Sequence, residues 1–239
     1  MFRWLVFSCV LALPAFSGEK GDFARFERSL NNTPHGYQVV DDPTGAAPIG
    51  QVERFEVRAG ECGVNGGWSD CRADRERSEL AEFDSRNEEG DEAWYGFNFY
   101  LPSDWPDVWP TKTVIAQWHQ EWRHVIWMLL HQRGALVLDN QSGGSSSERI
   151  ELIPAEELRG RWHRIELHAK WSTRKDGVVR LYVDGELKVE RLGPNMTGGR
   201  VYFKYGVYRS FISRHGHPVP TQTAYFSNVS KAKTQEGLR

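Results

Sequence analysis

The chain has 239 residues, with 30 Lys and Arg against 32 Asp and Glu, a formal net charge of −2 at pH 7. That balance gives no overall attraction to nucleic acid or to an anionic membrane, although local basic clusters can still grip an anion. The length suffices to bury a large core as one domain, and no stretch beyond the N terminus is apolar enough to span a bilayer.

Arg3, the apolar run from Trp4 to Leu13, then Pro14 and Ala15-Phe16-Ser17 before Gly18 have the layout of a secretory signal. Residues 1–17 are therefore expected to be a removable leader, leaving 18–239 as a single domain of a secreted or periplasmic protein. Cys62 and Cys71 remain after processing, and in an exported protein a lone pair is most simply a disulfide. It would close the loop GVNGGWSD and stabilise the fold by about 2–3 kcal/mol. Zinc is the alternative, but no second CxxC or neighbouring His pair completes four ligands.

Alternating β-rich segments, broken by Gly, Pro, Asn and Asp, predict strands at 23–30, 36–41, 51–59, 75–84, 92–101, 112–119, 124–131, 134–139, 162–172, 178–184, 186–191, 200–210 and 222–231. This spacing matches an all-β fold, a two-sheet sandwich or jelly roll. Helix is confined to a short turn from Pro154 to Leu158. Residues 142–147 read as a loop, and Asp176-Gly177 and Asp184-Gly185 as hairpin turns. Among the tryptophans, Trp94, Trp127 and Trp171 are expected in the core. Trp105, Trp109 and Trp122 are left open between core and a wall that stacks on sugar rings.

Three strand motifs carry the chemistry. Arg77-Ser78-Glu79-Leu80 places Arg77 and Glu79 on one face, and Gln117-Trp118-His119 does the same for Gln117 and His119. In YFKYGVYRS, Tyr202, Lys204, Gly206 and Tyr208 share one face while Phe203, Tyr205 and Val207 take the other. Gly206 leaves room for something to approach the backbone. Each motif alone has a dull explanation, a surface ion pair or a structural histidine.

Together they suit β-elimination in a uronic-acid polymer. Arg77 and Gln117 can neutralise the sugar carboxylate, which makes the C5 proton removable, and His119 and Tyr208 can move protons. A tyrosine acts as base only if its pKa falls from about 10, which Lys204 and Arg77 would favour.

The trio RSEL, QWH and YFKYGVYRS resembles the signature regions of the jelly-roll alginate lyases. Trp162-His163, KWS at 170–172 and LYVDG at 181–185 resemble still more the heparin-lyase-like and glucuronan lyases of that fold. The resemblance implies a jelly roll with a concave substrate groove and a lyase that leaves 4,5-unsaturated uronate ends. It implies catalytic roles for Tyr208, His119, Gln117 and Arg77, and substrate contact by Lys204, Glu79 and Arg209. Trp118, Tyr205 and Arg209-Ser210 depart from the alginate pattern, which leaves the polymer open between glucuronan and alginate types. Where C5–H and O4 lie on one side of the ring, as in glucuronate, Tyr208 would serve as base and acid. Where they lie on opposite sides, His119 would be the base. The glucuronan-lyase likeness favours the first.

Two other readings share the fold. A β-glucan hydrolase needs E-x-D-x-E, which Glu82-Phe83-Asp84 begins but Arg86 interrupts. A non-catalytic carbohydrate-binding module would not need Tyr208 and His119 together. His215-Gly216-His217 lacks further metal ligands, so no metal or cofactor is expected. Some lyases of this fold carry a structural calcium, but no acidic cluster here demands one. The expected partner is an anionic polysaccharide, with no nucleic acid and no membrane, bound by a monomer.

Overall fold

Strand alternation sorts this chain into two antiparallel sheets packed face to face. The computed structural model describes residues 24–143 and 147–238, and the expected leader lies outside them. The first strands are β1 (Phe26–Arg28), β2 (Tyr37–Asp41), β3 (Gln51–Val57), β4 (Val64–Asn65) and β5 (Trp68–Ser69). Next come β6 (Arg75–Glu82), β7 (Glu92–Tyr100), β8 (Lys112–Gln120), β9 (Val125–Gln132), β10 (Ala135–Asn140) and β11 (Glu148–Ile153). After one turn of helix, α1 (Ala155–Leu158), follow β12 (Trp162–Lys170), β13 (Val178–Val183), β14 (Glu186–Leu192), β15 (Val201–Ser210) and β16 (Gln222–Ala232).

One sheet has the order β1-β6-β15-β8-β9-β10-β11, the other β14-β13-β12-β7-β16-β3-β2, and β4 and β5 form a separate hairpin. This is the all-β jelly roll that the strand spacing predicts. Phe55, Phe97, Phe99, Trp118, Phe203, Tyr205 and Phe226 fill the space between the sheets, none more than 1% exposed. Phe203 and Tyr205 stack at 5.6 Å, and Trp118 packs against Phe203 at 5.2 Å. Burying each such ring stabilises the fold by about 1.5–3 kcal/mol. Because these rings occupy one face of β8 and β15, the alternate residues of both strands face away from the core.

Gly206 sits at a β-bulge, where the register of β15 against β8 shifts between Tyr205 and Tyr208, and its φ is +129°. A Cβ there would lie 2.4 Å from the Ser78 carbonyl oxygen and 2.8 Å from Phe55 Cδ1. The close approach expected at this glycine is therefore made by the neighbouring strand and the core rather than left for a ligand. Gly206→Ala is expected to cost about 1–3 kcal/mol, read as a lowered urea midpoint at unchanged slope.

Several expectations change. Trp127 and Trp171 are core residues, but Trp94 lies on the opposite face of β7 from Tyr95 and Phe97. It stacks on His168 at 4.6 Å and Tyr182 at 5.8 Å. Asp184-Gly185 is a tight hairpin with φ of 50° and 85°, whereas Asp176-Gly177 ends the longer loop between β12 and β13. Strand β11 is missed because it is an edge strand whose Glu148, Arg149 and Glu151 blur the alternation. Cys62 and Cys71 are bonded, with Cα atoms 5.1 Å apart, and β4 and β5 form within the closed loop. Among the described residues no helix is long and apolar enough to cross a membrane, and no group of three or more His, Cys, Asp or Glu could hold a metal ion.

Candidate active site

Strand β15 lies between β6 and β8, and its registers bring the three motifs together. Tyr208 stands opposite Arg77 and Gly206 opposite Glu79 on one side, Lys204 opposite Gln117 and Tyr202 opposite His119 on the other. Directly opposed residues share a face, with Cβ atoms about 4.5–5.5 Å apart. Arg77, Gln117, His119, Lys204 and Tyr208 all line one cleft of about 680 Å³ on the side of the sheet away from the core. Arg75, Lys112 and Arg123 line it too, and among the described residues no Asp or Glu does. A hydrolase would need a pair of carboxylates across the scissile bond, and the described lining holds none. Glu82, half of the acidic pair considered for that reading, is buried against Lys231 and the Phe203 N–H.

Under the cleft lies a charge-balanced network. Arg77 donates from Nε and Nη2 to the two oxygens of Asp70, both at 2.7 Å, and from Nη1 to Glu79 and Ser29, both at 3.3 Å. Glu79 also pairs with Lys204 and accepts from the Gln117 amide. Two cations thus meet two carboxylates, Asp70 at 0% exposure and Glu79 at 2%, so buried charge is offset by opposite charge and hydrogen bonds. Asp70 comes from the disulfide-closed loop and also accepts from the Trp68 indole at 3.0 Å. Four of the five guanidinium N–H groups of Arg77 are engaged, so one is left for a ligand, as is the second amide N–H of Gln117.

Two residues expected to touch substrate are placed elsewhere. Glu79 shares the cleft's side of the sheet but lies beneath its floor, because Arg77, Gln117 and Lys204 all converge on it. Arg209 has the opposite strand parity from Tyr208. It is fully buried, pairs with Glu76 and donates to the Pro220 carbonyl at 2.6 Å, away from the cleft.

Protonation states differ between the two proton-transfer candidates. His119 donates Nδ1–H to the Gln120 carbonyl at 2.8 Å, so Nε2 keeps its lone pair. Burial, then the Lys204 charge, lowers its pKa to about 4, so the ring is neutral at neutral pH. Tyr208 packs beside Val114, Met128 and Leu130. Burial raises its pKa above the ordinary phenol value, and the lowering by Arg77 and Arg75 does not reverse that. The Arg77 guanidinium lies 4.4 Å from the ring centroid, and Arg75 hydrogen-bonds the side chain. The cations opposing the desolvation of Tyr208 are thus Arg77 and Arg75; Lys204 spends its charge on Glu79.

Sequence reasoning missed Arg75, although it shares strand parity with Arg77 two residues on. It also missed Lys112, Arg123 and Trp68, which line the cleft from the start of β8, the β8–β9 turn and the hairpin. Of the tryptophans left open, Trp105 is buried, whereas Trp109 is 41% and Trp122 99% exposed.

A jelly roll with a cation-lined cleft, and with a phenol and an imidazole inside it, offers a site suited to an anionic ligand. Residues 18–230 match the polysaccharide lyase family, and the chain belongs to it. Its fold is similar to endo-β-1,4-glucuronan lyase from the fungus Trichoderma reesei, at TM-score 0.64 and 17% identity over 91% of this chain and 96% of that one. It is also similar to alginate lyase AlgAT5 of polysaccharide lyase family 7, at TM-score 0.61 and 16% identity over 84% and 83% of the two chains. An alginate lyase from Corynebacterium sp. aligns at TM-score 0.56 and 16% identity over 84% and 82%. No curated protein sequence matches the chain.

Proposed function

We propose that this lyase cleaves a uronic-acid polysaccharide of glucuronan or alginate type by β-elimination, leaving a 4,5-unsaturated uronate at the new non-reducing end. The observation that carries the reading is the register of β15 with β6 and β8, which sets Tyr208 against Arg77 and Lys204 against Gln117 on the cleft face. The free N–H groups of Arg77 and Gln117 bind the uronate carboxylate and draw charge from it, so that the C5 proton becomes removable. Tyr208, a protonated phenol at rest, donates its proton to the departing O4. His119, neutral with Nε2 unengaged, suits the base where C5–H lies opposite O4. Where both lie on one side, Tyr208 must first ionise, which burial opposes and Arg75 and Arg77 assist. The leader-like layout of residues 1–17 and the disulfide support export to the periplasm or the medium.

A panel of glucuronan, polymannuronate and polyguluronate, followed by ultraviolet absorbance of the unsaturated product, tests the substrate class. Heparin and a neutral β-glucan serve as controls. Absorbance should rise with at least one polyuronate and stay flat with the neutral glucan. No rise with any polyuronate would sink the reading. With His119 as base, kcat/KM should be level above about pH 5 and fall below it as the imidazole takes up a proton near its pKa of about 4. The acid limb of kcat should lie higher, because a bound carboxylate favours the imidazolium. A kcat/KM that instead climbs steadily from pH 5 to pH 9 would assign the base role to Tyr208 alone.

A further inference from the structure

The cleft does not end at the reaction centre. Lys112, Gln141 and Phe211 also line a second, adjoining cavity of about 340 Å³. One wall is Trp109, a residue 41% exposed whose ring has the Arg133 guanidinium 4.8 Å from its centroid. Arg149 and Arg214 also line the cavity, both exposed, and neither has an ion-pair partner among the described residues. Arg214 lies 3.9 Å from the Phe211 ring centroid, which orients its guanidinium without neutralising it. Among the described residues, none that lines it is acidic. His131, 3% exposed, also lines it; neither ring nitrogen has a hydrogen-bond partner among the described residues, and Asp107 is 4.0 Å away.

These features fit a charged sugar better than a free inorganic anion. An aromatic face takes the C–H side of a pyranose ring. Guanidinium groups pair with a carboxylate in two parallel hydrogen bonds. By contrast, the cations at the reaction centre, Arg77 and Lys204, are already balanced by Asp70 and Glu79. We infer that this cavity is an outer subsite that binds a further uronate unit of the same chain, with Trp109 under the ring and Arg149 and Arg214 on its carboxylate. The inference rests on the central cleft being the reaction centre. It predicts that the enzyme distinguishes long anionic chains from short ones.

The test compares wild type with R149A/R214A and with Trp109→Ala, on a long polyuronate and on the shortest oligouronate that is cleaved. On the long chain KM should rise about tenfold or more in each variant, with kcat changed by less than about twofold. On the shortest oligomer both constants should stay at wild-type values. R149K/R214K should recover part of the lost affinity through charge alone. An unchanged KM on the long chain, or an equal loss at every chain length, would overturn the subsite. Binding is read separately by affinity electrophoresis in gels containing polyuronate, with the same substitutions in a Tyr208→Phe background. Loss of retardation there upholds the subsite even if the reading of the reaction centre fails, and unaltered retardation contradicts it. If the double variant does not fold, Trp109→Ala decides by the same two measurements.

Discussion

Tyr208→Phe is expected to lower kcat by about 10²–10⁴-fold while leaving polyuronate binding and thermal stability close to wild type. The phenyl ring keeps its contacts with Val114, Met128 and Leu130 and its place beside the Arg77 guanidinium. Only the hydroxyl is lost, and with it the proton for O4. The Arg75 hydrogen bond to the hydroxyl goes with it, which should cost no more than about 0.5–1.5 kcal/mol of stability. The loss should fall on kcat with KM little changed, the signature of an interaction made in the transition state. Near-wild-type turnover would remove Tyr208 from the chemistry.

Asp70→Ala should have the largest effect on stability, about 3–5 kcal/mol, because it leaves the Arg77 guanidinium buried without its bidentate partner. It should also lower activity at temperatures where the variant is folded. Arg77 lies beside Tyr208 and shares Glu79 with Gln117 and Lys204, so a displaced guanidinium disturbs the floor of the whole cleft. Asp70→Asn, which keeps a hydrogen-bond acceptor but not the charge, should fall between Ala and wild type. Urea unfolding and steady-state kinetics on the same preparations check both parts. A stable, fully active Asp70→Ala would mean that the disulfide-closed loop has no part in setting up the site. The loop follows from local chemistry: the Cys62–Cys71 bond and the short β4–β5 hairpin fix where Asp70 points.

How much of this was legible in the sequence depended on whether the relevant interaction was local. The two faces of β15 could be read directly, because a period of two needs only neighbouring residues: Phe203, Tyr205 and Val207 are buried in the core, and Tyr202, Lys204 and Tyr208 face the cleft. The same parity puts Arg209 with the core face, and assigning it to substrate followed the resemblance instead of the alternation. Parity placed Glu79 on the correct side but gave no depth. Its burial results from Arg77, Lys204 and Gln117 closing over it from three adjacent strands, which only the register reveals. Asp70 was invisible as a partner, since nothing in GVNGGWSD marks that one carboxylate for Arg77. The outer cavity was hidden for a similar reason: Trp109, His131, Arg149 and Arg214 come from four separate segments and carry no common motif.

Mass spectrometry of the products from a polyuronate digest tests the central claim most directly. β-Elimination predicts oligomers carrying an unsaturated uronate at the non-reducing end, each lighter by one water than the saturated oligomer of the same length, and none of these from the Tyr208→Phe variant. Saturated oligomers formed by addition of water, or unsaturated ones still formed at the wild-type rate without the Tyr208 hydroxyl, would contradict it.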